Sequence, residues 1–260
     1  MKIILIETST SLCSAAIAED GAIVAVRESA GTREHASLTA PFVKEMLDER
    51  GLKAQDCDAV CVSMGPGSYT GLRVGVSTAK GLCFGAGIPL LAVDTMEILY
   101  QQAIDAISGA CICPGGTLAP EKGGDPLCGE DPSGAYACPD GGFKYIVPMI
   151  DARRMEVYAA VYSAAGDRLT EIEPQVVTPE SFAAQLEEGP VLFIGDGALK
   201  CKDVLSSPNA FFQEACPRAS AMLRPAEKAF KEGKFQDVAY FEPLYIKQFI
   251  AKVSTKNVLA

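Results

Sequence analysis

The sequence predicts an α/β protein of two lobes, each a mixed sheet flanked by helices, with the second lobe repeating the layout of the first. Three observations predict this. Ile3-Ile4-Leu5-Ile6-Glu7 is an apolar run that ends in an acid and leads through a short turn into a second strand, and Val147-Pro148-Met149-Ile150-Asp151 does the same 144 residues later. Each half then carries a further apolar strand ending in Gly-x-Gly, Gly65-Pro66-Gly67 in the first and Gly195-Asp196-Gly197 in the second. Helical patterns alternate with these strands, which favours helix-covered sheets and a cleft between the two halves.

In chain order, Lys2–Thr8 reads as a buried strand, followed by strands Ala15–Ala18 and Ile23–Glu28. Asp20-Gly21 joins the last two, a dipeptide suited to a tight hairpin because both residues tolerate positive φ. A helix is predicted within Ala36–Arg50. Its apolar residues form two rows, Leu38-Phe42-Met46 and Val43-Leu47, a wider stripe than one neighbour needs. Pro41 belongs in the first turn of this helix or kinks a longer one. Strand Asp58–Met64, a glycine-rich turn, helix Gly71–Gly85, strand Pro89–Val93 and helix Met96–Ile107 follow. Fourteen of the 36 residues from Ser108 to Phe143 are Gly or Pro and hydrophobic periodicity stops there, so the segment reads as an insertion or surface excursion. Strands Lys144–Ile150, Glu156–Ser163 and Leu169–Val177, helix Pro179–Glu187, strand Val191–Ile194 and a short helix from Ala198 build the second half. Helix Ala219–Lys231 and an aromatic tail, Tyr240–Phe249, close the chain. The expected organisation is an N-terminal lobe, 1–107, completed by a helix at 218–232, an insertion at 108–143, a C-terminal lobe at 144–217 and a tail at 233–260.

Composition bounds the function. A chain of 260 residues, 48% of them hydrophobic, can bury a substantial core. Its net charge of −10 opposes direct nucleic-acid binding, which needs a basic face to neutralise phosphates; the longest basic run is Arg153-Arg154. The apolar stretch at the start is too short for a signal peptide, and no window reaches the length of a membrane span. A cytoplasmic protein without membrane contact is expected, its ten Cys being thiols rather than a disulfide framework.

Strand, acid, hairpin, helix, strand, Gly-x-Gly and helix, twice over, is the layout of the duplicated actin-like (ribonuclease H-like) fold. The turn Ser63-Met64-Gly65-Pro66-Gly67-Ser68-Tyr69-Thr70-Gly71-Leu72-Arg73-Val74-Gly75 leads into a helix N-terminus, where free backbone N–H groups and the dipole suit an anion. It lacks the Gly-Lys-Ser/Thr ending of the Walker loop, and Thr70 stands where the dinucleotide fingerprint needs Gly. A tight turn capped by Ser68 or Thr70 explains it equally well. The helix behind it holds Gly71, Gly75, Gly81 and Gly85. Each internal Gly costs about 0.5–1 kcal/mol relative to Ala, which is tolerated where another backbone approaches closely, either the protein's own sheet or a partner's helix.

The turn Ser63–Gly75 resembles the signature of the bacterial TsaB (YeaZ) family. Asp151-Ala152-Arg153-Arg154-Met155-Glu156-Val157-Tyr158 is similar to that family's second motif, and Pro243-Leu244-Tyr245-Ile246-Lys247 to its closing segment, with Lys where Arg is usual. Order and spacing match over nearly the whole chain apart from Ser108–Phe143. The resemblance implies a role in forming N6-threonylcarbamoyladenosine at position 37 of tRNAs that read codons starting with A. It also implies that the chain is not the catalyst but the partner of a TsaD-type transferase, joined by a TsaE-type ATPase, touching tRNA only through that complex. Pairing in such proteins uses the first two helices of the N-terminal lobe. Here that surface comprises Leu38, Phe42, Met46, Leu72, Val74, Gly75 and Thr78, and a homodimer through it is the alternative when the partner is absent. The turn Ser63–Gly75 then serves to place a docking helix.

The residues agree with a non-catalytic role. The catalytic relative holds its metal with a His pair, whereas this chain has one His, His35, which also leaves no Ser-His-Asp or Cys-His set. Glu7 and Asp151 end corresponding strands, where actin-like ATPases place carboxylates near the metal and phosphates. With Gly65, Gly67, Ser68, Gly195 and Gly197 they are read as vestigial phosphate turns, the acids capping turns, with the longer Glu7 side chain pushing its carboxylate outward. No cofactor is expected for the isolated chain, ATP with magnesium being what the fold class would bring, and no metal. Cys111, Cys113, Cys128 and Cys138 lack the C-x2–4-C knuckles of structural zinc, and Cys61 and Cys83 sit in apolar runs as core residues. The competing reading is an enzyme, a small kinase or ATPase binding ATP between the lobes, or a glycoprotease-like protein.

Overall fold

The computed structural model describes residues 1–31, 34–108, 139 and 142–247. Cys111, Cys113, Cys128 and Cys138 therefore lie outside the described residues, as does the tail beyond Lys247.

The first sheet is built by β1 (Lys2–Glu7), β2 (Cys13–Glu19), β3 (Ala22–Ser29), β4 (Ala59–Ser63) and β5 (Leu90–Val93), in the order β3-β2-β1-β4-β5. β1 pairs antiparallel with β2 and parallel with β4, and β4 continues parallel to β5. The β2–β3 hairpin turns on Asp20 and Gly21 with φ of 49° and 82°, the left-handed pair that the dipeptide favours. The second sheet contains β6 (Tyr145–Asp151), β7 (Glu156–Ala159), β8 (Tyr162–Ser163), β9 (Glu173–Val176), β10 (Val191–Ile194) and β11 (Ala210–Gln213). Its order β9-β7-β6-β10-β11 repeats the first sheet strand for strand, with the same directions, and β8 pairs with β6.

β1 alternates between two cores, as a strand buried on both faces must. Ile4 and Ile6 meet Val43, Met46 and Leu47 of α1 (His35–Glu49) and Val76, Ala79 and Cys83 of α2 (Tyr69–Ala86). Ile3 and Leu5 meet Met222, Leu223 and Ala226 from the 3-10 turn Ala219–Met222 and α5 (Leu223–Lys231). Helix α3 (Thr95–Ile107) belongs to both lobes. Ile98 packs into the first lobe's core, while Met96, Leu99 and Ala103 pack with Ile146, Ile150 and Leu192 of the second. The remaining face of the second sheet is covered by α4 (Ala183–Glu188) and its flanking turns, around Phe193, Val147 and Leu186.

Several elements differ from the sequence expectation. Glu156–Ser163 is split into β7 and β8, and Leu169–Val177 contributes only Glu173–Val176. The helix expected at Pro179–Glu187 begins at Ala183, because Phe182 sits at φ 59° and Ser181 Oγ accepts from Thr178 N at 3.0 Å, a local turn that competes with helix. Ala219–Lys231 opens as a 3-10 turn, and the segment from Ala198 is a 3-10 turn at Leu199–Cys201. The strand Ala210–Gln213 was not expected, its Phe211-Phe212 pair giving no alternation. Pro41 lies inside α1, past its first turn. The six described cysteines are free thiols, with Cys61 and Cys83 buried. Among the described residues no helix is long and apolar enough to cross a membrane.

Candidate functional site

The C-terminal ends of β1, β4 and β6 open onto a cleft of about 660 Å³ between the lobes. One wall is formed by Ser9–Ser11 and Pro66–Thr70, the other by Ile150–Arg153, Tyr158 and Asp196, and the segment Leu244–Lys247 crosses its mouth.

The glycine-rich turn lies directly on the end of β1. A Cβ at Gly67 would fall 2.3 Å from Ser9 O, at Gly71 2.1 Å from Thr8 O, and at Gly75 2.3 Å from Thr8 Oγ1. The backbones are tied there: Ser68 N donates to Ser9 O at 2.6 Å and Thr8 Oγ1 to Gly71 O at 2.8 Å. Ser68 is also the N-cap of α2, its Oγ accepting from Gly71 N at 3.3 Å. The second turn repeats the arrangement, since a Cβ at Gly195 would lie 2.0 Å from Met149 O and one at Gly197 3.0 Å from Asp151 N. Gly65, at φ 104°, faces Leu72 and the Leu244 carbonyl. Three of these glycines, Gly67, Gly71 and Gly75, thus pack α2 and its turn on the protein's own sheet. Gly81 and Gly85 do not: a Cβ at either meets nothing within 4 Å.

The two strand-end acids have different surroundings. Glu7 is wholly buried and accepts a hydrogen bond from Ser9 N. Burial pushes its carboxyl up to about 7, with hydrogen bonds from Ser9 pulling the other way. The side chain was expected to point outward; the Ser9 amide holds it inward instead, and it does not line the cleft. Asp151 does line it, pairs with Lys200 and accepts from Arg153 N at 2.9 Å. Lys200 Nζ also donates to Arg154 O at 2.8 Å and Glu156 O at 2.7 Å, so one ammonium ties the whole Asp151–Glu156 turn. Asp196 Oδ1 accepts from Asp151 N at 2.8 Å, and burial pushes its carboxyl up to about 6.

Among the described residues no three His, Cys, Asp or Glu side chains come together as metal ligands. Glu7 is turned away from the cleft and Asp151 is committed to Lys200. His35 opens α1, with its Nε2 buried and unpartnered among the described residues.

Of the residues predicted to meet a partner, Met46, Leu72 and Gly75 face inward. Met46 and Leu72 are 0% and 1% exposed, and Gly75 lies on Thr8. Their rows on the helices are filled by the sheet, which takes more of each apolar stripe than a count of rows suggests. Leu38, Phe42, Val74 and Thr78 are half-buried along the exposed sides of α1 and α2. The sequence reading missed Phe84, which is 87% exposed on α2 beside Gly81 and Gly85. An aromatic residue between two helix glycines was the available signal.

The strap across the cleft was also missed, although its motif was visible. Leu244 N donates to Met64 O at 2.7 Å, Tyr245 packs on Tyr69 and receives a hydrogen bond from Arg73 Nε at 3.4 Å, and Lys247 pairs with Glu156 and reaches Ala152 O. The strap joins the first turn of α2 to the Asp151–Glu156 turn of the other lobe.

Comparison with known proteins places these features in context. A family model described as TsaD, tRNA N6-adenosine threonylcarbamoyltransferase, matches residues 26–114, which span α1 and α2. The chain is 28% identical over 258 residues to the tRNA threonylcarbamoyladenosine biosynthesis protein TsaB of Escherichia coli, covering 96% of each chain. It is 30% identical over 256 residues to the TsaB protein of Bacillus subtilis, covering 95% of this chain and 94% of the relative. The solved structure of YeaZ from Pseudomonas aeruginosa superposes with a TM-score of 0.70 at 25% identity, covering 94% of this chain and 99% of that one.

Proposed function

Because the chain belongs to the TsaB family of tRNA threonylcarbamoyladenosine biosynthesis proteins, we propose that it acts in that pathway as the non-catalytic partner of a TsaD-type transferase, docking through the outward side of α1 and α2. The observation that carries this reading is the division of the α2 glycines. Gly71 and Gly75 are used up by the protein's own sheet, while Gly81 and Gly85 flank the exposed Phe84 and leave room for a second backbone. A large apolar side chain at 87% exposure beside two helix glycines is left in water in the isolated chain and gains by burial beneath a partner helix. Leu38, Phe42, Val74 and Thr78 extend the same side.

A non-catalytic role is supported by the side chains available. The one histidine is a half-buried residue at the start of α1, and the strand-end acids satisfy backbone donors or a lysine. On this reading the isolated chain needs neither ATP nor a metal. A TsaE-type ATPase joins the pair, tRNA is engaged through the assembly, and the complex is cytoplasmic. Without its partner the chain forms a homodimer through the same side. The deciding experiment is a pull-down of a TsaD-type transferase by the wild-type chain and by Phe84→Asp, with the oligomeric state of each followed by light scattering. Loss of capture by a folded Phe84→Asp protein is the expected result; full capture removes α2 from the interface.

A further inference from the structure

Beside the cleft, the turn between β6 and β7 holds two consecutive arginines in left-handed backbone conformations, Arg153 at φ 71° and Arg154 at φ 54°. For residues with a Cβ this conformation is unfavourable, and it persists only when the surroundings over-determine it. Two lysines do so here. Lys200 binds the Asp151 carboxylate and the carbonyls of Arg154 and Glu156, and Lys247 binds the Glu156 carboxylate and the Ala152 carbonyl.

This arrangement has an electrostatic consequence. The acids of the turn, Asp151 and Glu156, each have their own lysine, and Asp196 is turned onto the Asp151 amide. Neither the Arg153 nor the Arg154 guanidinium has an ion-pair or hydrogen-bond partner among the described residues, and both side chains are exposed. Arg153 lines the cleft. On a chain of net charge −10, two uncompensated arginines on a clamped turn form a local positive spot at the rim of a cavity of about 660 Å³. Across that cavity lies Thr10, whose side-chain hydroxyl is buried without a partner among the described residues.

We propose that the rim of the cleft at the Ala152–Met155 turn is a phosphate-binding site in which Arg153 and Arg154 supply the recognition. A guanidinium offers a planar fork of donors that matches two phosphate oxygens, and a turn held rigid by Lys200 and Lys247 presents that fork at little further entropic cost. The phosphate can belong to a small metal-free phosphate ligand or to an RNA backbone, and both use the same contact. The proposal concerns the cleft alone and stands independently of the docking side on α2.

The test uses the full-length chain, titrated with tripolyphosphate, with ATP in the absence of magnesium, and with tRNA, at ionic strength matched by sodium chloride. Saturable binding is expected in at least one arm. Arg153→Gln should weaken it about tenfold, the value of one charge-assisted hydrogen bond, and Arg154→Gln should add to the loss. Arg153→Lys, which keeps the charge and loses the fork, should restore part of it. Binding of the short phosphates identifies a small ligand. Binding of tRNA alone identifies the RNA backbone, and there each lost contact should make the dependence of log K on log salt shallower by about one. Because neither side chain has an internal partner, the Gln variants should keep the wild-type unfolding midpoint. Absence of saturable binding in every arm, or binding that survives in folded Arg153→Gln/Arg154→Gln, overturns the proposal.

Discussion

The ring of Tyr245, near the end of the described chain, lies 4.8 Å from that of Tyr69, the first residue of α2. Arg73 completes the cluster, 4.1 Å over the Tyr69 ring and hydrogen-bonded to the Tyr245 hydroxyl. Two residues further along the chain, Lys247 grips the other lobe. The segment is a strap between lobes that already share α3 as a common wall.

Tyr245→Ala should therefore destabilise the protein although the site is at the surface. Loss of the aromatic pair and of part of the buried ring should lower the unfolding free energy by about 1–2 kcal/mol, measured by urea titration. Amide exchange should rise in both the first turn of α2 and the Asp151–Glu156 turn. A rise in α2 alone would mean that the strap does not couple the lobes.

Lys200→Met should loosen the same turn from the opposite side. The variant leaves the Asp151 carboxylate and two carbonyls, those of Arg154 and Glu156, without their ammonium donor. A loss of about 2 kcal/mol is expected, with the two left-handed arginines relaxing to ordinary φ values in a crystal structure of the variant. An unchanged turn would show that the Asp151–Glu156 backbone is held by other contacts.

Glu7 predicts a pH dependence of definite sign. Its folded-state pKa, raised to about 7 by burial, lies above the usual carboxylate value, so the folded state keeps a proton that the unfolded state has lost. The stability contributed by the protonated form is complete below the unfolded pKa and falls as pH rises from there to about 7. Glu7→Gln keeps an acceptor for Ser9 N and removes the titration. The stability difference between variant and wild type should therefore shift in favour of the variant by up to about 3 kcal/mol between pH 4 and pH 8. A difference that stays constant with pH would place the Glu7 titration outside this window.

Much of this architecture was legible in the chain because it rests on local and repeated signals. The apolar run Ile3–Ile6 and its echo at Val147–Ile150 mark the two central strands, and Asp20-Gly21 marks the hairpin turn. What sequence reading lost are features decided by long-range contacts. Met46 and Leu72 looked like partner-facing residues, and only the position of the sheet shows that they are covered. The four glycines of α2 look alike in sequence, yet Thr8, some sixty residues away, separates two of them from the others. The outward course expected for Glu7 failed on one backbone amide, that of Ser9. The strap depends on where Leu244–Lys247 crosses the cleft, which no local pattern encodes.

The measurement that tests the central claim most directly is Gly81→Ala, read twice in the same protein. A Cβ at this exposed helix position meets nothing within 4 Å, so the isolated chain should gain about 0.5–1 kcal/mol of stability. If α2 docks a TsaD-type transferase by close approach at Gly81, affinity measured by calorimetry should fall about tenfold or more in the same variant, since the added methyl stands between two packed backbones. Higher stability with weakened binding is the predicted result. Higher stability with unchanged affinity would contradict the assignment of this side of α2 as the docking surface.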